Sequence, residues 1–139
     1  MKRNIALAFC MILMLSLFCG SAKAATYSSD YLKSYNASLT TGNYTGELSL
    51  DFSAIARSSM KTVGISSIAV YTADGSYVKT ISGSTSNGLL ASQTISHEGT
   101  YTINVTPGQA YYLRLTFAAR TANSGDSKPY TTNTATAAS

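Results

Sequence analysis

GTYTINVTPGQAYYLRLTFAAR, residues Gly99 to Arg120, decides the fold class of this chain. In its first half Tyr101, Ile103 and Val105 share one face of an extended backbone, and Thr100, Thr102 and Asn104 the other. In its second half Tyr111, Leu113, Leu115, Phe117 and Ala119 oppose Tyr112, Arg114, Thr116, Ala118 and Arg120. Successive side chains of a strand point to opposite faces, so this alternation predicts two strands, each with one face buried. Thr106-Pro107-Gly108-Gln109 joins them. Proline pre-sets the first central residue of a type II turn, and glycine supplies the positive φ of the second. Such a turn suits a tight two-residue hairpin poorly. The two runs are therefore expected to lie in opposite sheets, with Tyr111 structural and Tyr112 on the outer face.

The same pattern extends in both directions. Tyr31 to Leu39 predicts a first strand whose burial becomes clear from Tyr35 onward, and Thr40-Thr41-Gly42-Asn43 a turn. Glu47 to Ala54 is the cleanest strand, with Leu48, Leu50, Phe52 and Ala54 inward. Ile55 to Val63 breaks the alternation and reads as a crossing connection with a short helical turn, its Met60 and Val63 plugging the end of the core. Ser66 to Thr72 predicts a strand with Ile68 and Val70 inward, and Asp74-Gly75 turns it back into Tyr77 to Ile81. Ser82 to Gly88 is a loop, Leu89 to Ser96 a further strand, and His97-Glu98-Gly99 a turn. Thr121 to Lys128 reads as a loop, and Tyr130 to Thr136 as an edge strand that tolerates Pro129 at its start. The expected fold is all-β: an antiparallel two-sheet sandwich of about seven strands.

Residues 1–24 stand apart. Lys2 and Arg3, the apolar run Ile5 to Phe18, and Ala22-Lys23-Ala24 have the three-part form of a secretory signal peptide. The apolar run is shorter than the roughly 20 residues of a spanning helix, so no stable membrane insertion is expected once the signal is removed. Lys2, Arg3 and Lys23 are three of the ten basic residues, which leaves seven against six acidic ones and a net charge of +1. That balance gives no reason to expect nucleic acid as a partner. Cys10 and Cys19 also lie in this segment, so residues 25–139 form one secreted domain, ordered over about residues 30–136, that must hold without disulfides.

Val105-Thr-Pro107-Gly108-Gln-Ala-Tyr111-Tyr-Leu113-Arg-Leu115 resembles the inter-sheet corner of fibronectin type III and immunoglobulin-like domains. The resemblance implies a tyrosine corner, in which the Tyr111 hydroxyl folds back onto nearby backbone. The chain from Tyr27 to Thr136 is also similar to a family of small secreted proteins of unknown function from Gram-positive bacteria. That likeness rests on the order of SSDYLKSYNASL, IAVY, SNGLL, SHEG, GQAYY and SGDSKPYTTNTAT. It implies secretion and fold, and it carries no site.

Catalytic equipment is sparse. His97 is the one histidine, in an expected exposed turn with no companion motif that would make it a base. Asp30, Glu47, Asp51, Asp74, Glu98 and Asp126 are the only carboxylates, placed by the pattern in turns and on solvated faces. No metal-ligand spacing or phosphate-cradling loop occurs, and no metal or cofactor is expected. The functional hint is aromatic. All ten tyrosines, and 37 serines and threonines, fall within the 115 residues after Ala24, a composition that suits adaptable surface recognition. Tyr112, Arg114 and Arg120 alternate onto one outer face, where a tyrosine with neighbouring arginines can stack on a sugar or anchor a protein. The expectation is a non-catalytic binding module for an extracellular glycan, envelope polymer or protein. The alternatives are an assembly protein pairing through edge strands such as Tyr130 to Thr136, and a small secreted hydrolase using His97.

Overall fold

The alternation that begins at Glu47 does not stop at Ala54. In the computed structural model, which describes residues 31–139 and so leaves the expected signal segment outside, one strand runs unbroken from Glu47 to Thr72. There is no crossing connection and no helical turn, which corrects the reading of Ile55 to Val63. Two irregularities hide the strand in the sequence. Pairing shifts register between Ile55 and Met60 on one edge and between Ile65 and Ser67 on the other. An extra residue re-aims every side chain that follows it. The buried set keeps one phase through Ala54, Ala56 and Met60, changes it between Met60 and Val63, and changes it again between Ile65 and Ile68, where the second shift lies. Met60 and Val63 are buried as expected.

The described elements in chain order are β1 (Leu32–Thr41), β2 (Glu47–Thr72), β3 (Tyr77–Ser82), β4 (Leu90–Asn104), β5 (Ala110–Arg120), β6 (Gly125–Thr131) and β7 (Ala135–Thr136). All pairings are antiparallel. β2 is the spine. β1 pairs with its first half and β5 with its second, one after the other along one edge. β4 and β3 line the other edge. β6 and β7 add to β5. All seven strands thus join in a single sheet that curls into a half-barrel with the core on its concave side.

Gly99 to Arg120 does not form a hairpin, as expected, but its two runs lie in one curled sheet rather than in two opposite sheets. Its two runs, the end of β4 and the whole of β5, do not pair with each other; they pair with opposite halves of β2. Tyr111 is buried, and its hydroxyl accepts a hydrogen bond from the Thr106 amide at 3.1 Å, which is the tyrosine corner. Ile103, Leu113, Leu115 and Phe117 supply core from this stretch alone, each fully buried large side chain contributing roughly 1.5–3 kcal/mol before chain entropy is set against it.

Three further boundaries differ from the alternation. Leu32 is buried because a register shift before Ser34 turns it inward, so burial in β1 begins before Tyr35. His97-Glu98-Gly99 is not a turn but lies inside β4. Gly99 sits opposite Phe52, whose ring would meet its Cβ only at 3.5 Å, so the aromatic covers the gap that a strand glycine leaves. At the end of the chain, β6 begins already at Gly125, Pro129 stands within it rather than at its start, and the strand breaks at Thr132. Proline is tolerated there because β6 pairs on one side only. Thr132 fills the break: its amide donates to the Leu113 carbonyl, and its hydroxyl accepts from the Leu113 amide.

Candidate functional site

Ile68 and Val70 point into the core, so the intervening Ala69 and the following Tyr71 point out. Register carries this outer face across three strands. Tyr71 lies opposite Tyr77 of β3 and Tyr112 of β5, while Ala69 lies opposite Arg114. Two pairs of residues distant in sequence, Tyr71 with Tyr77 and Tyr112 with Arg114, therefore meet on the convex side of the second half of β2. The Tyr71 and Tyr112 rings stack at 5.4 Å and 9°, and Tyr77 meets Tyr71 edge-on at 5.8 Å. The Arg114 guanidinium lies 5.0 Å from the centre of the Tyr71 ring. Cation–π contact with a tyrosine face fixes the guanidinium plane and leaves its edge N–H groups directed away from the ring.

Tyr77 is the most exposed of the three tyrosines, at 60%. Its hydroxyl bonds to Thr80 Oγ1, three residues along the same strand, at 2.8 Å. Beyond the rings the surface continues as small side chains and hydroxyls: Ala69, then Ser67, whose Oγ donates to Thr116 Oγ1 at 3.3 Å. The result is an aromatic cluster beside a row of hydroxyls.

The Asp74-Gly75 turn supports one end of this cluster. Gly75 approaches the Tyr112 hydroxyl, and Asp74 accepts from the Thr72 hydroxyl and, at 3.1 Å, from the Ser76 amide. The Thr72 hydrogen bond, followed by those from Ser76, lowers the Asp74 pKa below its ordinary value. A depressed carboxyl stabilises the fold above its unfolded pKa, and that contribution fades as pH falls through the folded value. We expect the turn to loosen only in acid, and Thr72→Val to move the Asp74 titration, followed by NMR, back up towards the ordinary carboxylate range. An unchanged midpoint in Thr72→Val would remove the hydroxyl as the cause.

Of the three residues that sequence nominated, Tyr112 and Arg114 belong to this cluster. Arg120 does not: it lies six residues beyond Arg114, roughly 20 Å along an extended strand, where it donates to Ser127 Oγ at 3.5 Å. Sequence reasoning missed Tyr71 and Tyr77. The signal for Tyr71 was its alternation with Val70 and Ile68, but its meeting with Tyr112 depends on a pairing between distant strands.

His97 is corrected as well. It is half-buried on β4, its ring packs edge-on against Phe52 at 5.3 Å, and Nε2 lies 2.7 Å from the Gly88 carbonyl. A carbonyl only accepts, so Nε2 carries the proton, and the ring tethers the 83–88 loop to the strand. The convex face of the other half differs in kind. Asn36, Ser38, Asp51 and Ser53, on either side of the inward-facing Phe52, line a shallow depression there, and its polar groups engage neighbours: Thr100 Oγ1 donates to Asp51 at 2.6 Å and the Tyr130 hydroxyl to Asn36 at 2.7 Å.

Among the described residues no three His, Cys, Asp or Glu side chains come together as a metal site, and no helix is long and apolar enough to cross a membrane. Comparison with protein-family models gave no match, and comparison with curated proteins gave none either.

Proposed function

We propose that the protein is an exported, non-catalytic binding module whose contact surface is the Tyr71–Tyr77–Tyr112–Arg114 face. The carrying observation is that three tyrosines from three strands contact one another on an outer sheet face, with Tyr77 60% exposed. Aromatic rings and a stacked arginine are the side chains that dominate binding energy at recognition surfaces. They sit here on strands rather than loops, so little ordering entropy is lost on binding. An aromatic face spread over three strands fits an extended polymer better than a small molecule. We also propose that the curled sheet is an immunoglobulin-like sandwich, bent through β2; the separate partners of its two halves and the tyrosine corner at Tyr111 support this reading.

Binding of the purified protein to soluble glycans and bacterial envelope fractions tests the function. Saturable binding is expected, weakened roughly five- to thirty-fold, or about 1–2 kcal/mol, in Tyr112→Ala and in Tyr77→Ala, with Arg120→Ala unchanged. Binding that survives both tyrosine variants would move the site elsewhere. Concentration-dependent self-association without any binding would favour assembly through strand edges instead.

A further inference from the structure

Resting on that reading of the tyrosine face, we infer that its ligand is an acidic polysaccharide, with a sugar carboxylate held by Arg114 while neighbouring sugar units lie on Tyr77 and Tyr112. Arg114 is exposed and stacked on Tyr71, and it pairs with no carboxylate among the described residues. The carboxylate of the adjoining turn, Asp74, accepts from Thr72 and Ser76 and makes no ion pair with the guanidinium. A guanidinium whose face is occupied by a ring presents its planar fork of N–H groups at the edge, the geometry that a carboxylate accepts in two parallel hydrogen bonds. Tyr77 and Arg114 flank Tyr71 at 5.8 and 5.0 Å, so aromatic surface and cation are separated by a single ring. The small side chains beyond, Ala69, Ser67 and Thr116, raise no wall, and their hydroxyls suit a polymer that carries many hydroxyls of its own.

Affinity electrophoresis through gels containing polygalacturonate, compared with the same polymer fully methyl-esterified, tests the inference. We expect retardation by the acid polymer at roughly ten- to hundred-fold lower concentration than by the ester, as for a charge-assisted hydrogen bond. Arg114→Gln should bring the acid polymer down to the level of the ester, and Arg114→Lys should recover part of the difference. Lys33→Gln, a charge removed from exposed β1, should change nothing. Thermal unfolding of each variant confirms that the comparison is between folded proteins. Equal retardation by both polymers, lost in Tyr112→Ala but not in Arg114→Gln, would overturn acid recognition and leave the tyrosine face standing. A loss in Lys33→Gln equal to that in Arg114→Gln would overturn it as diffuse charge. Retardation by neither polymer would overturn the inference, and if envelope fractions are also not bound, the binding face falls with it.

Discussion

Gly64→Ala is expected to destabilise the protein by roughly 3–5 kcal/mol, the sum of a backbone penalty and a steric one. Gly64 is buried in the middle of β2 and paired on both edges, with Leu90 on one side and Ala118 on the other. Its φ is 143°, in the region that side chains with a Cβ rarely adopt. A Cβ would also stand 2.1 Å from the Leu89 carbonyl oxygen, which is held in place by the Ile65 amide at 2.8 Å. Neither party can yield. The oxygen belongs to backbone, and the Leu89 side chain is itself fully buried. Two neighbouring glycines separate the contributions. Gly88 has φ +82 with nothing within 4 Å of its Cβ, so Gly88→Ala carries the conformational cost alone, about 1 kcal/mol. Gly83 has no positive φ, but its Cβ would meet the Ile65 carbonyl at 1.9 Å, so Gly83→Ala carries the contact alone. With domain stabilities of about 5–15 kcal/mol, Gly64→Ala should lower the melting temperature by roughly 12 °C or more. A shift no larger than that of Gly88→Ala would mean that Leu89 moves freely and the close approach is not a constraint.

Those same glycines explain what could be read from the chain and what could not. Strands with an undisturbed pleat were legible: Leu48, Leu50, Phe52 and Ala54 on β2, and Leu113, Leu115 and Phe117 on β5, alternate in sequence and are buried in the fold. So was the corner at Pro107-Gly108, because turn type follows from residue chemistry within four positions. Ile55 to Val63 was not legible, since the alternation changes phase between Met60 and Val63 and again just beyond, between Ile65 and Ile68, and so looks like no periodicity at all. His97-Glu98-Gly99 misled for a related reason. Its glycine is accommodated by the Phe52 ring across the strand, a fact of pairing that composition does not carry. The candidate site shows the same division. Alternation placed Tyr112 and Arg114 on an outer face, and nothing local could bring Tyr71 and Tyr77 beside them or move Arg120 away.

Phe117→Ala should cost roughly 3–5 kcal/mol, and the loss should appear first in β1 rather than in β5, where the residue lies. β1 and β6 are the two edges that the curled sheet brings towards each other, and no backbone ladder joins them. Side chains close the seam. Asn133 accepts from the Leu39 amide at 2.9 Å and donates to its carbonyl at 2.7 Å, standing in for a missing strand residue. The Tyr130 hydroxyl reaches the Ala37 carbonyl at 3.1 Å, and Asp126 accepts from the Tyr31 amide at 2.6 Å. Beneath these bonds Phe117, fully buried, packs against Tyr35 at 5.2 Å and Tyr130 at 5.8 Å, which themselves meet edge-on at 6.3 Å. Removing the central ring leaves a cavity and withdraws the support of both tyrosines. The hydrogen bonds above it are few and half-exposed, so they cannot hold the edge once the packing has gone. Hydrogen exchange should therefore show the Leu39 amide losing protection in Phe117→Ala well before the paired amides of β2. Phe117→Leu, which keeps most of the volume, should cost less than about 1.5 kcal/mol and leave the order of exchange unchanged. Equal loss of protection across β1, β2 and β5 would show that the seam opens only with the whole sheet.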